Sequence, residues 1–321
     1  MSPRAPNRGA ALLAAMLTVA LVASFAATAL WQQWRAVEIE SAERARVQAA
    51  WILTGALDWA RLILREDARS GGADHLAEPW AVPLQEARLS SFLAADKNNS
   101  SADVADNQLE VFLSGQIEDM QSRMNVLNLI DASAISAPDL RAFARLFDLL
   151  GLPQAELLTL AENLRFASDT SADNRSGAFA SLLPQRLDQL AWLGLPATTI
   201  ARLAPYVSLL PARTAVNLNT ASAEVIYASI PGLEMAQARK LVDERARSHF
   251  RNLDDAGRQI GEIAGRINEG RHGVATRFFE VRGRLRMERT LIEERSLVQR
   301  DGLDVKTLWR ERAALSPQSL Q

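Results

Sequence analysis

Residues 7–34 read NRGAALLAAMLTVALVASFAATALWQQW, and no charged residue falls between Arg8 and Arg35. A helix needs roughly 20 apolar residues to cross a bilayer core, so this run is long enough. Arg4 and Arg8 precede it with no acid nearby, which keeps them on the cytoplasmic side and sends the following chain across. Three outcomes are open: a cleaved secretory signal, a permanent anchor, or a leader trimmed so that an anchor remains. Ala27-Thr28-Ala29 has the small-x-small form of a signal-peptidase site, yet the run exceeds the usual apolar core of about 7–15 residues. Helix-forming sequence also continues past it. Trp51, Gly55, Trp59, Leu62 and Ile63 return at helical spacing, and the first glycine pair is Gly71-Gly72. One helix is predicted from about Ala10 to Arg69, roughly 90 Å long at about 1.5 Å per residue. Its first half is apolar all round, and its second half has one apolar stripe.

Composition narrows the function. A formal net charge of −2 over 321 residues supplies no basic field of the kind that collects nucleic acid. The chain has no cysteine, which removes disulfides, thiolate metal sites and a cysteine nucleophile. His75, His249 and His272 are far apart in sequence, which argues against a histidine-rich metal centre. No phosphate-binding loop, HExxH, GxSxG or GxGxxG is present. A hydrolase on an anchor keeps only unassigned serines, histidines and carboxylates in its favour.

Beyond the long helix, Glu78-Pro79-Trp80-Ala81-Val82-Pro83 is a proline-punctuated loop with a tryptophan suited to covering a core. Gln108 to Leu113 alternates as a half-buried strand does, and Gly115 permits a turn after it. From Asp131 to about Gly270 the period becomes helical, in segments 138–150, 154–166, 184–193 and 198–207. Leu150-Gly151-Leu152-Pro153 recurs as Leu193-Gly194-Leu195-Pro196, so two helical hairpins built alike are expected, joined by a polar surface loop over 168–176. After Ala275 the period returns to two. Phe279, Val281, Leu285 and Met287 face one way, while Glu280, Arg282, Arg284, Arg286 and Glu288 face water. Residues 291–298 are the expected partner strand.

Val216-Asn217-Leu218-Asn219-Thr220-Ala221, followed by Ile230-Pro231-Gly232-Leu233 and Ala238-Arg239-Lys240, looks like a helix-hairpin-helix. Thr220 is expected to cap the first helix, with Glu224 close behind, and Ala238 lets the second helix pack closely. DNA-binding versions hold a phosphate on the hairpin amides and carry a second glycine where this chain has Glu234. A carboxylate there repels phosphate, and Glu234, Asp243 and Glu244 offset Arg239, Lys240, Arg245 and Arg247. No nucleic acid is therefore expected as a partner. Residues 96–100 (DKNNS) and 169–173 (DTSAD) alternate oxygen-bearing side chains as calcium loops do, without the glycine and glutamate of an EF-hand.

Taken together, the basic leader ending in Arg8-Gly9 and the apolar helix running straight into a further domain resemble a type IV prepilin signal. In that family a membrane peptidase cuts after the glycine, so Gly9 is the implied cleavage residue and Ala10 the new N-terminus. The family usually carries glutamate at the fifth mature position, where this chain has Ala14. That absence is typical of K-type minor pseudopilins of type II secretion systems. Residues 78–83 resemble the E-x-W-A-x-P segment of that family. Residues 117–129 (IEDMQSRMNVLNL) resemble its I-x-D-x-x-x-R-F-N-L-N-N-L motif, with Met124, Val126 and Leu127 as departures. Arg123, Asn125 and Asn128 match in place, and structural roles satisfying loop carbonyls and amides are expected for them.

The resemblance implies an α+β fold: a leader over 1–9, a transmembrane helix over 10–34, and the spine helix with the first part of a pilin-like α/β domain over 35–130. An all-helical insertion of helix-hairpin-helix type then fills 131–270, and the remaining strands 271–321. It further implies a non-enzymatic subunit in the inner membrane, N-terminus in the cytoplasm and soluble domain in the periplasm. Such a subunit caps a pseudopilus tip with the I- and J-type minor pseudopilins. The implied partners extend to the prepilin peptidase, the secretin channel and secreted proteins. No cofactor is required; family members can bind calcium, at positions that do not transfer to this chain. Trp51, Gly55, Trp59, Leu62 and Ile63 are the expected partner-helix contacts. The rival reading is a membrane-anchored DNA-uptake receptor. Such receptors share the anchor and the N-L-N-T-A hairpin, but they are short and lack both the strand-rich domain and the Arg8-Gly9 site.

Overall fold

The computed structural model describes residues 8–90, 110–169, 181–287 and 290–315. Helix α1 spans Arg8–Ser70. Nothing in those 63 residues breaks it, because Gly55 is the lone glycine after Gly9 and no proline occurs. It stops where expected: Gly71 and Gly72 adopt φ of 65° and 117°, a region open to glycine because it has no Cβ. The chain divides into two compact units, Met1–Gly55 and Ala56–Gln321.

In the first unit the helix is long and apolar enough to cross a membrane. Its hydroxyls bond back along the helix, Thr18 to the Ala15 carbonyl and Ser24 and Thr28 to the carbonyls four residues earlier. They therefore need no water, which is the condition for polar groups in lipid. Further on, Glu40 pairs with Arg44 and Glu43 with Arg46 at helical spacing.

The second unit is built on a five-stranded antiparallel sheet of β1 (Leu84–Arg88), β2 (Val111–Asp119), β3 (Phe278–Met287), β4 (Thr290–Asp301) and β5 (Asp304–Leu315), in that spatial order. Leu57, Ala60 and Leu64 of α1 pack with Trp80, Phe279, Val281, Val298 and Val305. Trp80, in a 3-10 turn over Pro79–Ala81, meets Phe279 edge-on at 5.2 Å. Arg61 and Arg65 tie the same stretch of helix to the β4–β5 hairpin, donating through Nε to the Val305 and Leu303 carbonyls.

The strand readings hold, with three differences. β2 does not turn at Gly115 but runs through it to Asp119. Gly115 faces Gly283 in the register, and a Cβ there would come within 3.0 Å of the Arg282 carbonyl, so glycine serves a close strand contact. Gln108 and Leu109 lie outside the described residues. Secondly, the charged face of β3 is not simply wet. Glu280 is buried between Arg282 of its own strand at 2.9 Å and Arg295 of β4 at 3.1 Å, because arginine stems cover the sheet while their heads reach the carboxylate. Thirdly, β5 joins β4 as an edge strand that the periodicity did not separate. Glu288 lies outside the described residues.

Between β2 and β3 sits the helical block: α2 (Ala137–Leu149), α3 (Gln154–Ser168), α4 (Ala197–Leu203), α5 (Ala223–Ser229), α6 (Met235–Arg247) and α7 (Leu253–Ile260). The repeated L-G-L-P is one device used twice. Gly151 and Gly194 have φ of 60° and 91°, and Leu152 and Leu195 each donate to the carbonyl five residues earlier, on Phe147 and Leu190. Each proline then stands at the residue before the next helix, in extended conformation and without a capping hydrogen bond. The second copy departs in kind, since its leading element is a 3-10 helix over Leu187–Leu193 rather than an α-helix from Pro184. The helix expected to reach Val207 ends at Leu203, because Val207-Ser208 pairs in parallel with Met124-Asn125. The block buries its own core, in which Phe143, Leu146, Phe147, Leu160, Leu193 and Ile226 lie at or near zero exposure.

Candidate functional site

Two sets of residues are candidates: the exposed side of α1 and the joint where the helical block meets the sheet. Gly9 lies in the first turn of α1, and Ala10 is exposed. Trp51 is 73% exposed, Trp59 43% and Leu62 48%. At Gly55 a Cβ would meet nothing within 4 Å. Ile63 is half-buried against the Leu57–Leu64 cluster, so of the five expected contact residues it is the one the sheet partly takes. The helical period explains the split: 57, 60 and 64 point to the sheet, and 55, 59 and 62 fall on other sides of the turn.

The joint centres on Asp119, the last residue of β2. Its Oδ1 accepts from the Gln121 amide at 2.7 Å. Its Oδ2 accepts from Thr220 Oγ1 at 2.5 Å, Thr276 Oγ1 at 2.7 Å and Asn217 Nδ2 at 3.0 Å. Full burial pushes this carboxyl up to about 6 by desolvation, against the pull of those donors. Asn217 Nδ2 also reaches the Asp74 carbonyl, and the Thr276 amide donates to Asp74 Oδ2 at 2.5 Å. Arg300 of β4 completes the chain, bonding Asp67 through Nη1 and Asp74 through Nη2. Segments far apart in sequence are thus locked by one polar network.

This corrects the reading of Thr220. It does not cap α5. Ser222 does, accepting from the Val225 amide, while the Thr220 hydroxyl is turned inward to Asp119. Asp119, Asp74, Thr276 and Arg300 carried no role in the sequence reading. The only signal was the aspartate inside the 117–129 motif. Asn125 and Asn128 have the expected structural roles: Asn125 bonds the Ala212 carbonyl and the Leu127 and Leu210 amides, and Asn128 holds both backbone groups of Thr214. Arg123 differs, pairing with the Glu118 carboxylate and not with loop backbone.

The hairpin keeps its form, with Gly232 at φ 77° and Ala238 fully buried. Three of its four cations are engaged elsewhere, and Arg239 is exposed. Arg245 donates to the Leu218 carbonyl and is pushed down to about 10 by burial, Lys240 bonds the Gln259 carbonyl, and Arg247 pairs with Glu244. Glu234 stands at the start of α6, where its amide is bonded by Gln237. This surface is poorly suited to phosphate.

For metals, residues 96–100 and 170–173 lie outside the described residues. Among the described ones, Asp67, Asp74 and Glu78 bring carboxylate oxygens within 4.8 Å of one another. Arg300 already supplies a cation to two of them, and Glu78 accepts from Trp80 Nε1 and the His75 amide.

Comparison with known proteins agrees with this architecture. Family models described as type II secretion system protein K match residues 122–212 and 216–274. A type II secretion system protein K of Pseudomonas aeruginosa is 28% identical over 329 residues, covering 96% of this chain and 90% of its own length. One from Pectobacterium carotovorum is 25% identical over 339 residues, covering 96% and 97%. The crystal structure of the GspK-GspI-GspJ complex of enterotoxigenic Escherichia coli contains a chain with the same fold. The TM-score is 0.65 at 18% identity, over 85% of this chain and 98% of that one. The family matches, together with an N-terminal helix long and apolar enough to cross a membrane, support a minor pseudopilin of a type II secretion system. By these matches the chain is similar to protein K of type II secretion systems along nearly its whole length.

Proposed function

We infer that this chain is the subunit that caps the tip of a type II secretion pseudopilus, in complex with I- and J-type minor pseudopilins, for protein export across the outer membrane. The prepilin peptidase removes residues 1–9, and α1 remains as a single span of the inner membrane with the Ala56–Gln321 unit in the periplasm. The subunit performs no catalytic step and requires no cofactor. The helical block supplies the bulk that prevents addition of a further subunit and faces the secretin channel and secreted proteins.

The observation that carries the reading is the exposure of Trp51, Gly55, Trp59 and Leu62 on a helix whose opposite residues are spent on the sheet. Apolar side chains left in water favour burial by about 25 cal/mol per Å², and Gly55 permits close approach of another helix backbone. Ala14 leaves no carboxylate to meet a neighbour's N-terminal amine, so association falls to this stripe. Trp51→Glu should leave the melting temperature of the periplasmic unit nearly unchanged, yet abolish co-purification with the I- and J-type subunits and stop secretion. A stably made Trp51→Glu protein that secretes normally and still co-purifies with both would overturn the reading. The DNA-receptor alternative is not favoured, since Lys240, Arg245 and Arg247 of the hairpin are engaged within the chain and Glu234 stands where phosphate would approach.

A further inference from the structure

His75 and His249 lie 174 positions apart, yet their rings stack at 3.8 Å between centroids with 13° between planes. Both are half-buried. Each ring is held by rigid neighbours. Ahead of His75, the Asp74 amide donates to the Val274 carbonyl and its carboxylate holds the Thr276 amide. Behind it, Glu78 accepts the His75 amide. His249 precedes Phe250, whose amide and carbonyl are both bonded by Asn219. The strap 73–78, which leaves the end of α1, is thus fastened to the helical block at a ring pair that cannot drift apart freely.

The stack is not a metal site. Nitrogen lone pairs lie in the ring planes, so near-parallel rings aim them side by side instead of converging on one ion. It is suited to sensing protons. His75 Nδ1 accepts from the Ala77 amide at 3.3 Å, so a proton arriving there displaces that bond. A proton on each ring would also set two positive charges face to face. Of the surrounding charges, Asp255 favours a charged His249 and relieves this only in part. On the strap side, Asp67 and Asp74 are committed to Arg300, and Glu78 to Trp80 and the His75 amide. On the block side, Arg251 adds positive charge, and Asp255 is held by the Arg251 amide and by Arg258.

We propose that the His75–His249 stack is an acid-released latch, closed when the rings are neutral, whose protonation frees residues 75–77 of the strap from the helical block while Asp74 stays bonded to Asn217. Burial, His75 and Arg251 all hold His249 below the usual histidine range, so opening sets in as pH falls below about 6.5. The latch would make the fit between the end of α1 and the block depend on the acidity of the compartment.

Hydrogen exchange of the full chain in detergent, read on peptides covering 73–78 and 248–252 at pH 7.5 and 5.0, tests this. After correction for intrinsic exchange rates, the native chain should lose protection severalfold at pH 5.0 relative to pH 7.5. The double variant His75→Phe, His249→Phe keeps two stacking rings without a titrating group and should hold its protection at both pH values. His75→Gln retains an acceptor for the Ala77 amide, removes one charge, and should also stay closed. Equal loss in native chain and variants, or no loss in the native chain, would overturn the latch.

Discussion

Asp119 shows how one residue both joins and stresses the molecule. Its carboxyl is raised to about 6 by burial, against 3.8 unfolded. A raised folded value means that the group's stabilising contribution is complete below pH 3.8 and is lost as pH rises through 6. The loss is bounded at roughly 3 kcal/mol, at about 1.4 kcal/mol per pKa unit. His272 has the opposite slope. Burial lowers it to about 4, so its contribution is present above 6.5 and fades as pH falls toward 4. The two offset each other in the same window, so the native chain's own pH profile will not separate them. The difference between native chain and Asp119→Asn does. The native chain's advantage in unfolding free energy over Asp119→Asn should shrink as pH rises from 4 to 6 and stay level above. A constant difference would mean that Asp119 does not titrate as the buried geometry requires. At this scale the sequence said little, because Asp119, Thr220 and Thr276 acquire meaning only when three remote segments meet.

Elements were more legible, since their signals are local. The end of α1 at Gly71-Gly72, the twin L-G-L-P turns and the alternation in β3 follow from glycine's freedom at positive φ and from side-chain period. Where elements were misread, tertiary pairing decided: Gly115 met another strand instead of turning, and residue 207 left a helix for a two-residue ladder. The two sides of α1 can be told apart by mutation. Leu64 is fully buried against the sheet, so Leu64→Ala should lower unfolding free energy by about 2–5 kcal/mol, read as a shift in denaturant midpoint at unchanged slope. The midpoint for Trp51→Glu should stay near that of the native chain. Equal losses for both would mean that the exposed tryptophan serves the fold and not a partner.

At the scale of the whole molecule, the decisive event is proposed to occur at the N-terminus. If the leader is removed after Gly9, the peptidase site must accept a residue without a side chain, and Gly9→Val should leave a slower-migrating precursor with Met1–Gly9 intact. N-terminal sequencing of membrane-extracted protein checks this. A mature chain beginning at Leu30 would instead indicate signal-peptide cleavage after Ala27-Thr28-Ala29.

The sequence by itself determined the long helix, expected over about Ala10 to Arg69 and found at Arg8–Ser70, the change from helical to alternating period near residue 275, and the resemblance to protein K, because hydrophobic period and glycine placement act over a few residues and survive without tertiary context. Only the tertiary structure decided which side of α1 is spent on the sheet, that Thr220 turns inward to Asp119 instead of capping a helix, and that His75 meets His249. Those outcomes depend on contacts between residues 100 or more positions apart. A buried polar group takes whichever partner the packed chain brings to it, and no local pattern records which one that will be.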